Sequence, residues 1–272
     1  MSERPARGWL PRTTVVGVVV VVGVPLTVLI IWSFAFRWTF PDVLPEEWGL
    51  DAWSYTVSAT SRVSEGVWNS IVIGLIVTAL ATAIGLPAAR VLGLHRFRGK
   101  GVVEGLLLLP IVVPAIVATM GLHVIFIRLG LTGTYLGVSL IHLIPALPYF
   151  VLIMAGVFSN YRTELEETAR TLGARPLQVF VQVTLPAIGP GVAVAAMFSF
   201  LVSWSQYVTT LLIGSGRVIT LPLVFFPFIT GSDHATAAAV SLVFLIPAIL
   251  VMVVTSRRLS ADPAVLGRAG PL

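Results

Sequence analysis

Six stretches of this chain contain no Asp, Glu, Lys or Arg: Thr13–Phe36, Gly66–Ala89, Gly105–Ile127, Leu129–Tyr161, Pro176–Gly216 and His234–Ser256. A helix needs roughly 20 apolar residues to cross a bilayer, and every one of these stretches is long enough. Charged residues make up 11% of the 272 and hydrophobic residues 57%, against about 25% and about 45–50% in soluble domains. A soluble globule of this composition would expose large apolar patches. A disordered chain would lack the apolar area that this one can bury. The sequence therefore reads as an all-α membrane protein with six transmembrane helices, at about 14–36, 67–92, 103–127, 134–158, 187–213 and 236–256. The run Val218–Ser232, rich in Pro and Phe, is too short to cross and reads as re-entrant or interfacial.

The scarce charges orient the chain. Lysines and arginines accumulate in cytoplasmic loops. With the N-terminus inside, 13 of the 17 basic residues fall on the inner segments, and only Arg37, Arg62, Arg128 and Arg217 fall outside. Both termini are thus expected in the cytoplasm, with residues 1–12 and 259–272 as cytoplasmic ends and 13–64 as the first span with its outer loop. The net charge of +5 is an inner-face signal that anionic lipid accounts for, so nucleic acid is not an expected partner. The first apolar run exceeds the usual 7–15 residues of a signal peptide and is expected to remain as an anchor. In the outer loop, Trp38, Trp48, Trp53 and Tyr55 suit an interfacial belt or a contact with a docked protein.

Common chemistries are missing. There is no cysteine, which excludes thiol catalysis and thiolate metal sites. The four histidines show no metal-ligand spacing, and His123 and His142 are expected to hydrogen-bond between helices. Glu104 is expected to pair with Lys100 at the inner edge of the third span. The spans hold almost no buried carboxylate of the kind an ion-driven carrier uses, and no P-loop is present. If the chain transports a solute, the energy comes from another polypeptide. The proline pairs Pro110/Pro114 and Pro145/Pro148 point to a bent, pathway-lining bundle.

The inner loop 159–186 carries the most information. Thr163 and Glu166 have capping-box spacing. Acids Glu164, Glu166 and Glu167 fill a first helical turn and Arg170 lies near its last, as the helix dipole prefers. Leu165, Ala169 and Leu172 recur at helical spacing. Gly173 suits a left-handed stop and Pro176 the first turn of a second short helix, which Pro186 is expected to end before the fifth span. Two capped amphipathic helices on the cytoplasmic face form either a surface connector or a docking knob.

Glu167-Thr168-Ala169, three residues, Gly173, nine residues, then Val183-Thr184-Leu185-Pro186 resembles the EAA loop of binding-protein-dependent ABC importer permeases. Thr168 and Val183 are mild departures from the family's Ala and Ile. The resemblance covers about residues 65–258 and implies the type I importer permease fold, embedded in a bacterial inner membrane. It implies that 162–173 is a coupling helix, with Glu166, Glu167, Thr168, Ala169, Arg170, Gly173, Leu185 and Pro186 as the coupling residues. It further implies partners: ABC ATP-binding subunits that hold ATP and Mg, a second homologous permease, and an extracytoplasmic solute-binding protein. No cofactor and no catalysis are expected in this chain. A stand-alone secondary carrier or channel is the alternative.

The fifth span ends in a polar-aromatic run. Trp204, Gln206, Tyr207 and Thr209 are candidates for the translocation path, with helix packing through hydroxyls as the other reading. Phe198–Phe226 is similar to permeases of the polyamine, iron, phosphonate and thiamine branch. Ser205 and Gln206 are neutral where polyamine members often carry acids, which argues against a cationic solute. A small polar solute is expected.

Overall fold

The computed structural model describes residues 10–38, 44–231 and 233–260. Of the expected cytoplasmic ends 1–12 and 259–272, residues 1–9 and 261–272 lie outside the described residues. Among the described residues the regular structure is helical apart from one short hairpin, and the chain divides into two compact units, one within Met1–Ser64 and Val224–Ile246 and the other within Glu65–Leu223 and Pro247–Leu272.

In the first unit, α1 (Leu10–Ser33) leads into an antiparallel hairpin of β1 (Ala35–Arg37) and β2 (Glu47–Trp48), followed by the short α2 (Asp51–Val57). Aromatic side chains hold it together. Trp32 packs edge-on against Trp38 and also meets His234, while Phe34 packs on Trp53. Tyr55 meets Phe228 edge-on. Trp48 is left exposed.

The second unit contains α3 (Val63–Leu94), α4 (Lys100–Val112), α5 (Ala115–Arg128), α6 (Tyr135–Ser159), α7 (Glu164–Thr171), α8 (Pro176–Val179), α9 (Leu185–Trp204) and α10 (Val208–Gly214), the first of them beginning two residues earlier. The helices α11 (Leu221–Thr230) and α12 (His234–Ser260) complete the chain. Among the described residues four helices are long and apolar enough to span a membrane, five if α4 and α5 count as one broken span. The first expected span, 14–36, overlaps α1, a helix of 24 residues that is not among these. The run 221–230 is a ten-residue helix, short of a crossing as expected.

Two of the expected spans take a different form. The third is bent by 98° between α4 and α5. Pro114 drives its predecessor out of the helical region, and Val113 is extended at φ −72°, ψ 129°. The second proline pair behaves otherwise: Pro145 and Pro148 lie inside an unbroken α6. The fifth span is not 187–213. Helix runs continuously from Pro176 to Trp204 and breaks at Ser205–Tyr207 before α10. Pro186 does not terminate the second short helix as expected. Its missing N–H and its ring are instead absorbed by a π-helical turn over Phe180–Thr184, where the Leu185 N–H reaches back to the Phe180 carbonyl.

Small residues let these helices approach. A Cβ on Gly93 of α3 would collide with Phe158 and with the Ala155 carbonyl of α6. The core below is Ala81, Ala89, Phe150, Met154, Phe158, Ile188 and Ala195. A second cluster, with Ile73, Val77, Val138, Ile141 and Ile213, fills the other half of the unit. Close packing of this kind replaces the hydrophobic drive that lipid removes. Gly93→Val is therefore expected to destabilise the bundle by about 1–3 kcal/mol and to lower its melting temperature in detergent. Gly156→Val, where nothing lies within 4 Å, is expected to leave it unchanged.

Candidate functional site: the inner loop and its clamp

The loop between α6 and α9 folds as two short helices with a left-handed turn between them. Gly173 has φ +87°, a conformation that costs glycine nothing, and the Ala174 N–H reaches back to the Ala169 carbonyl. Pro176 opens α8 as expected, and the Arg175 N–H donates to Gln178 Oε1 at 2.8 Å. The expected Thr163/Glu166 capping box does not form. Thr163 has helical backbone angles and its side chain makes no capping bond.

Glu166 is spent elsewhere. Its carboxylate is 5% exposed and receives both guanidinium nitrogens of Arg90, at 2.9 and 2.7 Å. A two-bonded pair of this kind fixes orientation as well as charge. The Thr184 hydroxyl donates to the same carboxylate at 2.7 Å, and Arg170, one turn on, stands 3.6 Å away. Arg90 also lies over the Phe158 ring at 5.8 Å. One carboxylate on α7 thus meets α3 through Arg90 and the head of α9 through Thr184, and Arg90 adds α6. Sequence reasoning missed Arg90 and Thr184 as site residues. The signal was available in Arg90, a lone arginine in the last turns of a long apolar helix.

The donors hold the Glu166 carboxyl down at about 2, the Arg90 hydrogen bonds outweighing the burial that pushes it up. A depressed carboxyl contributes stability that is fully present above its ordinary value near 4.5 and lost as pH falls towards 2. The contribution is of the order of 2 kcal/mol, since Arg90 is one-third exposed and solvent screens part of it.

The opposite face of α7 is open. Glu167 and Thr168 are exposed, as is Arg170 on Glu166's own side, and Ala169 is half-buried. The apolar residues at helical spacing point to solvent: Leu165 is 52% and Leu172 83% exposed. Leu177 of α8 and Leu185 are exposed as well, and so is Pro186. Beside α7 a pocket of about 510 Å³ opens between Arg90, His95, Tyr161, Glu167 and Arg170.

The four expected path residues gather around the break after α9. Trp204 is buried and stacked on Phe200 at 5.9 Å. Thr209 is buried too and donates to Gln206 Oε1 at 2.9 Å. Gln206 and Tyr207 are half-buried at the break itself. The expected role of His142 as a link between helices is seen, with Nδ1 3.0 Å from the Ser203 hydroxyl and Nε2 2.8 Å from that of Thr210. The expected Lys100–Glu104 pair is present at 3.8 Å.

Residues 81–260 match the family model described as "Binding-protein-dependent transport system inner membrane component". The chain belongs to this family of ABC importer permeases. This permease is 32% identical to the trehalose transport system permease protein SugB of Mycobacterium tuberculosis, over 73% of this chain and 74% of the relative. It is 35% identical to the molybdenum transport system permease protein ModB of Mycobacterium bovis, over 66% and 74%. The spermidine/putrescine permease protein PotC of Escherichia coli is 25% identical, over 77% and 79%. Among solved structures, a bacterial ABC transporter for the acidic polysaccharide alginate shares the fold at TM-score 0.68 and 18% identity, over 93% of this permease and 99% of that chain. The MetNI methionine transporter does so at 0.58 and 19%, over 75% and 99%.

Arg90→Gln is expected to raise the Glu166 titration from about 2 into or above the ordinary carboxylate range. Infrared titration of permease labelled with carboxyl-13C glutamate reads it as a carboxylate band that protonates early.

Proposed function

We propose that this permease forms half of the solute pathway of an ATP-driven importer and couples to an ATP-binding subunit through α7. The observation that carries the proposal is the exposure of α7 away from its anchored side: Leu165, Glu167 and Thr168 on the helix and Leu172 just after it are open to solvent, with Ala169 half-buried. An apolar, acid-edged helix held rigid on the inner face is a surface made to enter a groove. Family membership favours this reading over a stand-alone carrier. ATP and Mg belong to the partner, and this chain supplies no catalytic group.

The remaining assignments rest on the same reading. The permease sits in a bacterial inner membrane with both ends inside, as the charge bias supports. It pairs with a second homologous permease, since one bundle cannot enclose a two-sided path. An extracytoplasmic binding protein delivers the solute. The relatives named above carry trehalose, molybdenum and polyamines in their names, so the polyamine branch is one of several, and the solute is a small polar molecule. Neutral Gln206 and Tyr207, at the break after α9, are the path residues best placed to meet it. Trp204 and Thr209 set the wall behind them.

Glu167→Lys reverses charge at an exposed position of α7. Purification in mild detergent is expected to recover native amounts of this variant from the membrane with at least ~10-fold less ATP-binding subunit, the effect of about 1.4 kcal/mol. Undiminished co-purification would remove the docking role of α7.

A further inference from the structure

Force that enters at α7 reaches the bundle only if the loop does not absorb it. The connector from Asn160 to Arg175 is short, and α7 itself buries little: Glu166 is its only buried residue. A helix held by so little apolar area would pivot on its ends if nothing pinned it.

The pin is polar and it gathers four elements. Arg90 reaches from α3 to grip both oxygens of Glu166 on α7 and lies over Phe158 of α6. Thr184 reaches from the turn that leads into α9. That reach depends on the π-turn. Widening the helix over Phe180–Thr184 lets the Thr184 hydroxyl lie 3.4 Å from the carbonyl five residues back, at Val179, while it donates to Glu166. The turn ends two residues before Pro186, whose missing N–H and ring disfavour a regular α-helix at this point.

We infer that Arg90, Glu166 and Thr184 are positioning residues that lock α7 to α3, α6 and the head of α9 as one rigid body, so that force delivered to α7 moves the bundle. The inference rests on the docking reading for the source of the force, and on geometry alone for the lock. Glu166 and Glu167, adjacent in sequence, then have separate duties. Glu167 faces outward to the partner, and Glu166 faces inward to the bundle.

The chain has no cysteine, so labels can be placed without background. Spin labels on Ile84→Cys of α3 and Thr171→Cys of α7, both exposed positions, report the lock by pulsed dipolar spectroscopy in lipid nanodiscs. A fluorophore on Leu136→Cys, exposed at the far end of α6, reports transmission. The native pair is expected to give one narrow distance, unchanged when the complex is trapped with ATP and vanadate. Glu166→Gln is expected to lose that single peak and to lose the trapping response at Leu136, while still co-purifying its ATP-binding subunit. Arg90→Lys, which keeps the charge but not the two-pronged grip, is expected to fall between. A native distance that shifts on trapping, or a Glu166→Gln sample with native width and native response at Leu136, would overturn the lock. If the native permease brings down no ATP-binding subunit, the docking reading fails by itself, and the nucleotide-free comparison of native with Glu166→Gln still decides the lock.

Discussion

The grip of Arg90 on Glu166 is the interaction on which the inner half of this permease depends. A charge at the end of a membrane helix needs a partner. Arg90 finds one 76 residues away, in the loop that follows α6. The pair ties a polar loop to an apolar bundle, two parts that have little surface in common. Thr184 and Phe158 then saturate it from the remaining sides. Without the carboxylate, Arg90 would face a half-buried site unpaired. Without the guanidinium, Glu166 would keep only the Thr184 hydroxyl and the more distant Arg170, and breaking a buried pair in that way costs more than the pair contributes.

Backbone irregularity in the bundle follows the prolines and serves this arrangement. At Pro114 the chain turns by 98°, because Val113 is pushed out of the helical region and α5 must start afresh. At Pro186 the chain does not turn. A wide π-turn takes up the ring, the helix continues as α9, and a threonine is presented to the loop. After α9 the chain breaks again at Ser205–Tyr207, where His142 binds hydroxyls on both sides of the break through its two ring nitrogens. Polar contacts thus sit where the helices are interrupted, and apolar packing fills the lengths between.

Much of this was legible in the sequence. The charge-free stretches marked the long helices, because charge is excluded from lipid whatever the fold. Gly173 and Pro176 announced their own conformations, since left-handed backbone and a helix start are local demands. The inner loop was recognisable as two short helices on the same grounds. What local reasoning misassigned was Glu166. Three residues after Thr163 and in a first turn, it has the spacing of a capping residue. A guanidinium brought near by the tertiary fold offers a charged two-point contact, and a single backbone N–H does not compete with that. The same limit explains Pro186. Its ring disfavours a regular helix, but whether the chain stops or widens depends on what the next residues pack against, and those partners lie in α6. The path residues gave the weakest signal, because a buried hydroxyl used for packing and one used for a solute look alike in one dimension.

The central claim is that α7 presents one face to an ATP-binding partner while the other stays locked to the bundle. An electron cryomicroscopy structure of the assembled importer, nucleotide-free and ATP-bound, tests it most directly. The account predicts Glu167, Leu165 and Leu172 buried against the ATP-binding subunit in both states, with Glu166 still held by Arg90 and Thr184. A complex in which Leu172 remains in solvent, or in which Arg90 leaves Glu166 between the two states, would contradict it.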